Sequence, residues 1–187
     1  MHPILIIPGY GDSGPGHWQS LWEANVKYAK RVEMPNWLFP HRAAWVEALD
    51  EAIRDAGALA PPVLVAHSLG CIAVAHWVRY GQRTVHGALL VAPPDLERPE
   101  RWTVTDLERA DLVAATRDFL PVPRSGLPFP SQVVASSDDP YGSLERAREL
   151  AEAWGSQFRD VGPCGHLNTA AGFGEWPRGE AFLQELL

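Results

Sequence analysis

Six short strand-like runs, most of them separated by stretches of helical periodicity, are the feature that most limits what these 187 residues can fold into. Ile4 to Ile7, Pro62 to Ala66 and Gly87 to Ala92 are continuous apolar runs; Val32 to Met34, Ser131 to Ser136 and Ser156 to Val161 are weaker ones. Between them, His17 to Lys30, Arg42 to Ala56, Ser68 to Tyr80 and Ser143 to Trp154 carry apolar residues at helical spacing, and Glu175 to Leu187 predicts a closing helix. In the first of these, Leu21 and Trp22 are expected to face inward; in the second, Trp45, Leu49, Ala52 and Ile53. Strands without in/out alternation, each followed by a helix, are the mark of a parallel sheet covered on both faces.

Residues 93 to 130 break that rhythm. They hold seven prolines, several charges and one helical stretch, about Thr105 to Arg117, and predict a lid-like excursion over the sheet edge that is too short for a separate domain. One domain spanning residues 1 to 187 is expected, since 46% apolar and 21% charged side chains suit a single globular core. A net charge of -7 with scattered Lys and Arg argues against a nucleic-acid partner. Cys71 and Cys164 lack the number and spacing of a disulfide framework or a zinc site, which favours a reducing, cytoplasmic setting. Ile4 to Ile7 is too short for a signal segment and no run reaches membrane-spanning length, so no membrane association is expected.

The loop after the first strand, I-I-P-G-Y-G-D-S-G-P-G-H-W, contains Gly9-x-Gly11-x-x-Gly14, the spacing of a dinucleotide-binding turn, with Glu33 about 20 residues on. In that fold the third glycine lies inside the first helical turn. Here Pro15 and Gly16 follow Gly14, so the loop is still a loop, and no nucleotide cofactor is expected.

More specific is Ala66-His67-Ser68-Leu69-Gly70, set between the strongest strand and an apolar helix. A strand-to-helix turn this sharp demands small residues two positions either side of the serine and lifts its hydroxyl above the sheet. Alanine replaces the usual first glycine, a mild departure. Ser68 is also a natural helix N-cap, a role serine favours without any chemistry. A nucleophilic serine needs a base and an orienting carboxylate, found downstream in the order Ser, Asp or Glu, His, each after a strand. Ser136-Ser137-Asp138-Asp139-Pro140 and Gly162-Pro163-Cys164-Gly165-His166 fall where that order requires. Pro140 biases Asp139 toward extended backbone, which makes Asp139 the favoured acid and Asp138 a turn or capping residue. The expected constellation is Ser68, Asp139 and His166. Its oxyanion donors are the Leu69 amide, at a helix N-terminus, and one from the glycine loop, either Tyr10 or Gly11. His17 and Trp18 are candidate substrate-binding residues, and His67 is expected to pack or hydrogen-bond beneath the serine. Arg101, Asp106, Glu108 and Arg109 read as a solvated surface. No HExxH or similar metal spacing occurs among the histidines, so no metal is expected.

Taken together, P-G-Y-G-D-S-G-P-G-H-W at Pro8 to Trp18, A-H-S-L-G at Ala66 to Gly70, L-P-F-P-S at Leu127 to Ser131, S-S-D-D-P-Y at Ser136 to Tyr141 and G-H-L-N at Gly165 to Asn168 resemble the retinoblastoma-binding protein 9 family of small α/β-hydrolases. The resemblance covers nearly the whole chain. It implies an α/β-hydrolase core, a six-stranded, mostly parallel sheet with helices on both faces and no large cap domain. It further implies a serine hydrolase that cleaves a small carboxylic ester or amide through an acyl-enzyme, with Ser68, Asp139 and His166 in the matching positions and a small-molecule acyl substrate as partner. The L-x-C-x-E retinoblastoma-binding motif does not carry over, because Ala73 stands where glutamate is needed. A catalytically weak binding module on the same scaffold is the alternative expectation, since fold alone does not guarantee activity.

Overall fold

The computed structural model describes residues 2–58, 60–81 and 83–187. Six strands, β1 (Ile4–Ile7), β2 (Ala29–Arg31), β3 (Val63–His67), β4 (Gly87–Val91), β5 (Ser131–Ala135) and β6 (Gln157–Asp160), form one sheet in the order β2-β1-β3-β4-β5-β6. Every neighbouring pair is parallel. The helices are α1 (Trp18–Asn25), α2 (Arg42–Gly57), α3 (Leu69–Val78), α4 (Asp106–Thr116), α5 (Leu144–Trp154) and α6 (Pro177–Gln184).

Alternate residues of the strands feed two cores, because successive side chains of a strand point to opposite faces. Leu5, Ile7, Leu64, Ala66, Leu90 and Val133 pack with Trp45, Leu49 and Ile53 of α2, with α3, and with Leu150 and Trp154 of α5. Ile4, Ile6, Val63, Val65, Leu89 and Val91 pack with Trp18 and Trp22 of α1 and with Phe182 and Leu183 of α6. Burying each large apolar side chain contributes about 1.5–3 kcal/mol. The central helix α3 is buried on every side from Leu69 to Trp77, as suits a helix wedged between the sheet and α2.

Four expectations shift. The first helix ends at Asn25 rather than Lys30, and β2 is Ala29–Arg31 rather than Val32 to Met34. Tyr28 turns the chain at φ 67°, and the register with β1 pairs Ile4 with Ala29 and Ile6 with Arg31. Val32 and Met34 bury their side chains in the core as the chain leaves the edge strand, so their apolarity marks that exit and not the paired segment. Leu21 is half-buried; the inward face of α1 is Trp18, Gln19 and Trp22. The last helix begins only at Pro177, a residue well suited to the first helical turn.

No large cap covers the sheet. Residues 93 to 130 carry α4 and two short 3₁₀ turns, and α4 buries only Thr116. The segment does more than skirt the sheet edge, because its inner residues wall a cleft above the carboxyl ends of the strands. No helix of the described residues is long and apolar enough to cross a membrane.

The order places β1 between β2 and β3, so the chain winds outward in both directions from the β1–β3 crevice, where ligands collect in open parallel sheets. Gln19, fully buried, bridges that crevice: its amide nitrogen donates to the carbonyls of Ile7 (3.2 Å) and Val65 (3.1 Å), and its oxygen accepts from Ser13 Oγ (2.7 Å). Gly70 closes it from the α3 side, where a Cβ would stand 2.5 Å from the Ile7 carbonyl oxygen and 2.7 Å from that of Pro8. Gly70→Ala is therefore expected to destabilise by roughly 2–3 kcal/mol, a fall in Tm of about 5–10 °C at this chain length. In an open helical position the same change stabilises by about 1 kcal/mol, so a thermal melt reads the sign directly.

Candidate active site

Ser68 sits at the junction of β3 and α3 with φ 53° and ψ -123°, a backbone conformation that L-residues avoid and that surrounding packing must impose. Its side chain makes no capping bond to α3. Instead Ser68 Oγ lies 2.9 Å from His166 Nε2, and His166 Nδ1 lies 2.8 and 2.9 Å from the two carboxylate oxygens of Asp139. With the Nδ1 proton directed at the carboxylate, the Nε2 lone pair accepts the serine hydroxyl. The structure thus brings together the three side chains singled out from the sequence. The imidazole and the carboxylate are both buried.

Each partner is held by its own loop. Asp139 Oδ1 also accepts the Tyr141 amide (2.9 Å), a short Asx turn ahead of α5. Asp138 braces the histidine loop. Its Oδ1 accepts from Ser136 Oγ (2.7 Å) and from the Gly165 amide (2.7 Å), while Ser136 Oγ accepts from the Cys164 amide (2.8 Å). Those bonds hold the Asp138 carboxyl below the usual range, the serine hydroxyl first and the Gly165 amide second. The loop turns through two left-handed residues, Gly165 (φ 53°) and Leu167 (φ 50°). The Leu167 carbonyl accepts Trp18 Nε1 at 2.8 Å, and the His166 carbonyl accepts His67 Nε2 at 2.9 Å.

The loop Pro8 to His17 approaches Ser68 from the β1 side. A Cβ on Gly9 would lie 2.8 Å from Ser68 Cβ and 3.2 Å from the Leu69 nitrogen, so only glycine allows this contact. Of the two loop amides expected to face the serine, that of Gly11 is already committed to the Trp37 carbonyl (3.0 Å). Tyr10 is left with an amide that has no acceptor among the described residues, in a residue that lines the cleft.

A cleft of about 640 Å³ opens over these groups. His17 lines it. Trp18 does not: it is fully buried against Trp22, Trp176 and His67, and its indole nitrogen is used on the Leu167 carbonyl, so its role is to seat the histidine loop. The excursion supplies an apolar wall, Leu96, Trp102, Leu107 and Leu112, together with Glu108 and Asp111. Glu108, expected on a solvated surface, accepts from the Tyr141 hydroxyl (2.7 Å), whose ring packs on His166 at 4.6 Å between centroids. Burial and the adjacent Glu108 push the Tyr141 phenol well up, so it remains a donor. Tyr141, Glu108 and Gln19 were not visible as site residues in the sequence. The only signal was Tyr141 lying just beyond Pro140, while Glu108 reads as one more charge on an amphipathic helix.

Three histidines, His17, His67 and His166, pack in series with their rings steeply tilted and centroids 4.9 Å apart at each step. Burial, with His166 next and Arg31 after it, lowers His17 to about 4. Burial and then His166 hold His67 well below its usual value. His76, bonded to the Phe119 carbonyl in the core, is lowered by burial as well. Cys71, also buried, has its thiol pushed up, and both cysteines are free.

These shifts set an acid limit on the fold. A histidine whose folded value lies below its unfolded value of about 6.5 takes up its proton first in the unfolded chain. Its contribution is complete above that pH and is lost as pH falls, at about 1.4 kcal/mol per pH unit per group. Unfolding free energy is expected to fall between about pH 6.5 and 5 with uptake of about two protons or more, a window above carboxylate titration. Denaturant melts across that range measure it; a flat profile would contradict neutral, buried His17 and His67.

The serine hydrolase family model matches residues 4–185. A solved structure of a YdeN-like hydrolase from Pectobacterium atrosepticum is 32% identical, covers 100% of this chain and 90% of its own, and superposes with a TM-score of 0.83. YdeN of Bacillus subtilis, named as a hydrolase, is 24% identical over 185 residues, 93% of this chain and 90% of YdeN. A thermophilic esterase from Thermogutta terrifontis, at 16% identity and a TM-score of 0.66 over 100% of this chain and 90% of that one, shares the fold. A parallel six-stranded sheet with a serine at the β3–α3 turn, matched over nearly its full length by these proteins, places the chain in the serine hydrolase family of the α/β-hydrolase superfamily.

Proposed function

We propose that the protein hydrolyses a small carboxylic ester, or an amide of similar size, through an acyl-enzyme on Ser68. The observation that carries this reading is the unbroken hydrogen-bonded series Ser68 Oγ, His166 and Asp139, with every contact between 2.8 and 2.9 Å, at the floor of an open cleft.

In the first half-reaction, Ser68 Oγ attacks the substrate carbonyl carbon while His166 Nε2 takes its proton. Asp139 keeps the imidazole in the Nδ1–H tautomer and stabilises the imidazolium that forms. Negative charge gathers on the carbonyl oxygen, and the Tyr10 and Leu69 amides are placed to hold it. Leu69 adds the dipole of α3 and Tyr10 an amide free of other work. Collapse of the tetrahedral species expels the alcohol or amine, which receives the proton from His166. Water, deprotonated by the same imidazole, then attacks the acyl-enzyme and frees Ser68. The apolar wall of Leu96, Trp102, Leu107 and Leu112 suits a short acyl chain.

A fluorophosphonate probe and a panel of short-chain esters test this reading. Wild type is expected to label and to turn over, and Ser68→Ala to do neither, with a loss of about 10⁴-fold or more in kcat. Equal labelling of Ser68→Ala, or an inert wild type, would sink the proposal.

Gly9→Ala gives a separate expectation. The added methyl meets Ser68 Cβ at 2.8 Å, so the loop or the nucleophile must move. A displacement approaching 1 Å costs about 100-fold in rate. The variant should stay folded by circular dichroism while its labelling rate falls by roughly that factor; an undiminished rate would show that the contact is not required.

A further inference from the structure

His17 is tied down on one edge and free on the other. As N-cap of α1, its Nδ1 accepts the Gln19 amide at 3.1 Å. A nitrogen that accepts carries no proton, so the neutral ring bears its hydrogen on Nε2. That Nε2 has no partner among the described residues, although the side chain is only 5% exposed, and it is not one of the sealed polar atoms of the core. His17 itself lines the cleft that holds Ser68 and His166.

A donor with no protein acceptor, on a residue that lines this cleft, is available to whatever the cleft holds.

The surroundings define what it meets. No Lys or Arg lines the cleft among the described residues, whereas Asp12, Glu108 and Asp111 do, so an anionic acceptor is disfavoured. Gly14, His17 and the stretch Asn168 to Ala170 share one rim, and Thr169 Cγ2 lies 3.6 Å from where a Gly16 Cβ would stand. This is the rim that continues from His166, the group that returns a proton to the leaving group. The excursion stands one ring removed from His166, its Trp102 and Glu108 meeting that histidine across Tyr141.

Resting on the ester-hydrolase reading above, we propose that His17 is a substrate-contacting residue whose Nε2–H donates to a neutral oxygen, a hydroxyl or ether, on the alcohol portion of the ester. The favoured substrates are then esters of small polyols or hydroxy-alcohols rather than of plain alkyl alcohols. Burial beside His166 and Arg31, which keeps His17 at about 4, preserves this donor in its neutral form across the physiological range.

Two isosteric variants separate this role from helix capping. In His17→Asn the side-chain oxygen overlays Nδ1 and keeps the cap, but nothing replaces Nε2. In His17→Gln the amide nitrogen overlays Nε2 and keeps the donor, but the cap is lost. The experiment measures kcat/KM for glycerol monobutyrate and for propyl butyrate, which share an acyl group, together with Tm. Wild type should favour the glycerol ester. His17→Asn should lose about 5- to 10-fold on that ester, the worth of one neutral hydrogen bond, with little change on propyl butyrate or in Tm. His17→Gln should retain the preference and melt lower. An unchanged ester ratio in His17→Asn overturns the proposal, as does an equal loss in both variants. A wild type that turns over neither ester and does not label with fluorophosphonate overturns the ester-hydrolase reading, and this assignment with it.

Discussion

The close approach of the chain leaving β1 to the first turn of α3 is the constraint on which the remainder of the molecule depends. Two missing side chains permit it. Gly70 lets α3 rest on the Ile7 and Pro8 carbonyls, and Gly9 lets the following loop touch Ser68 and the Leu69 nitrogen. Gln19 then ties the two strand ends together by donating to the carbonyls of Ile7 and Val65. A strained serine at φ 53° persists because these contacts press on it from both sides. Had either glycine carried a methyl group, the loop would be pushed away from the helix and the Tyr10 and Leu69 amides would no longer face one point.

The histidine side of the site is built by a different device. Nothing packs His166 in place through a helix or strand of its own; a loop of left-handed residues carries it. Amides donated to Ser136 and Asp138, and carbonyls that accept from Trp18 and His67, substitute for regular structure there. Several of these donors and acceptors come from elements that the serine side already fixes. The geometry of the hydroxyl, imidazole and carboxylate is thus set by two frames that share β3 and α1.

Much of this was legible in the sequence, for reasons that can be named. Continuous apolar runs revealed a two-sided parallel sheet because a strand buried on both faces has no polar positions to alternate. Ser68, Asp139 and His166 were legible because the turn, the residue before proline and the glycine-rich loop each impose local chemistry on the chain. What stayed hidden depended on distance along the sequence. The register of β2 is decided by β1, so Val32 and Met34 misled by being apolar where they are merely buried. Trp18 looked like a ligand platform beside the glycine loop, whereas its indole reaches a carbonyl 149 positions away. Gly11 and Tyr10 were equivalent until Trp37, far along the chain, claimed one of them. Glu108 looked solvated because a helix wall facing a cleft has the same pattern as one facing water.

The helix α4 contributes much of the cleft wall and almost nothing to the core: one buried residue, Thr116, with Leu107 at 75% exposure beside the groove. Its inner face is thereby released from the demands of folding. Substitutions at Leu107 or Asp111 reshape what the cleft admits while the sheet, the serine turn and the histidine loop keep their packing. Substrate choice in this architecture can drift on a different clock from the catalytic frame.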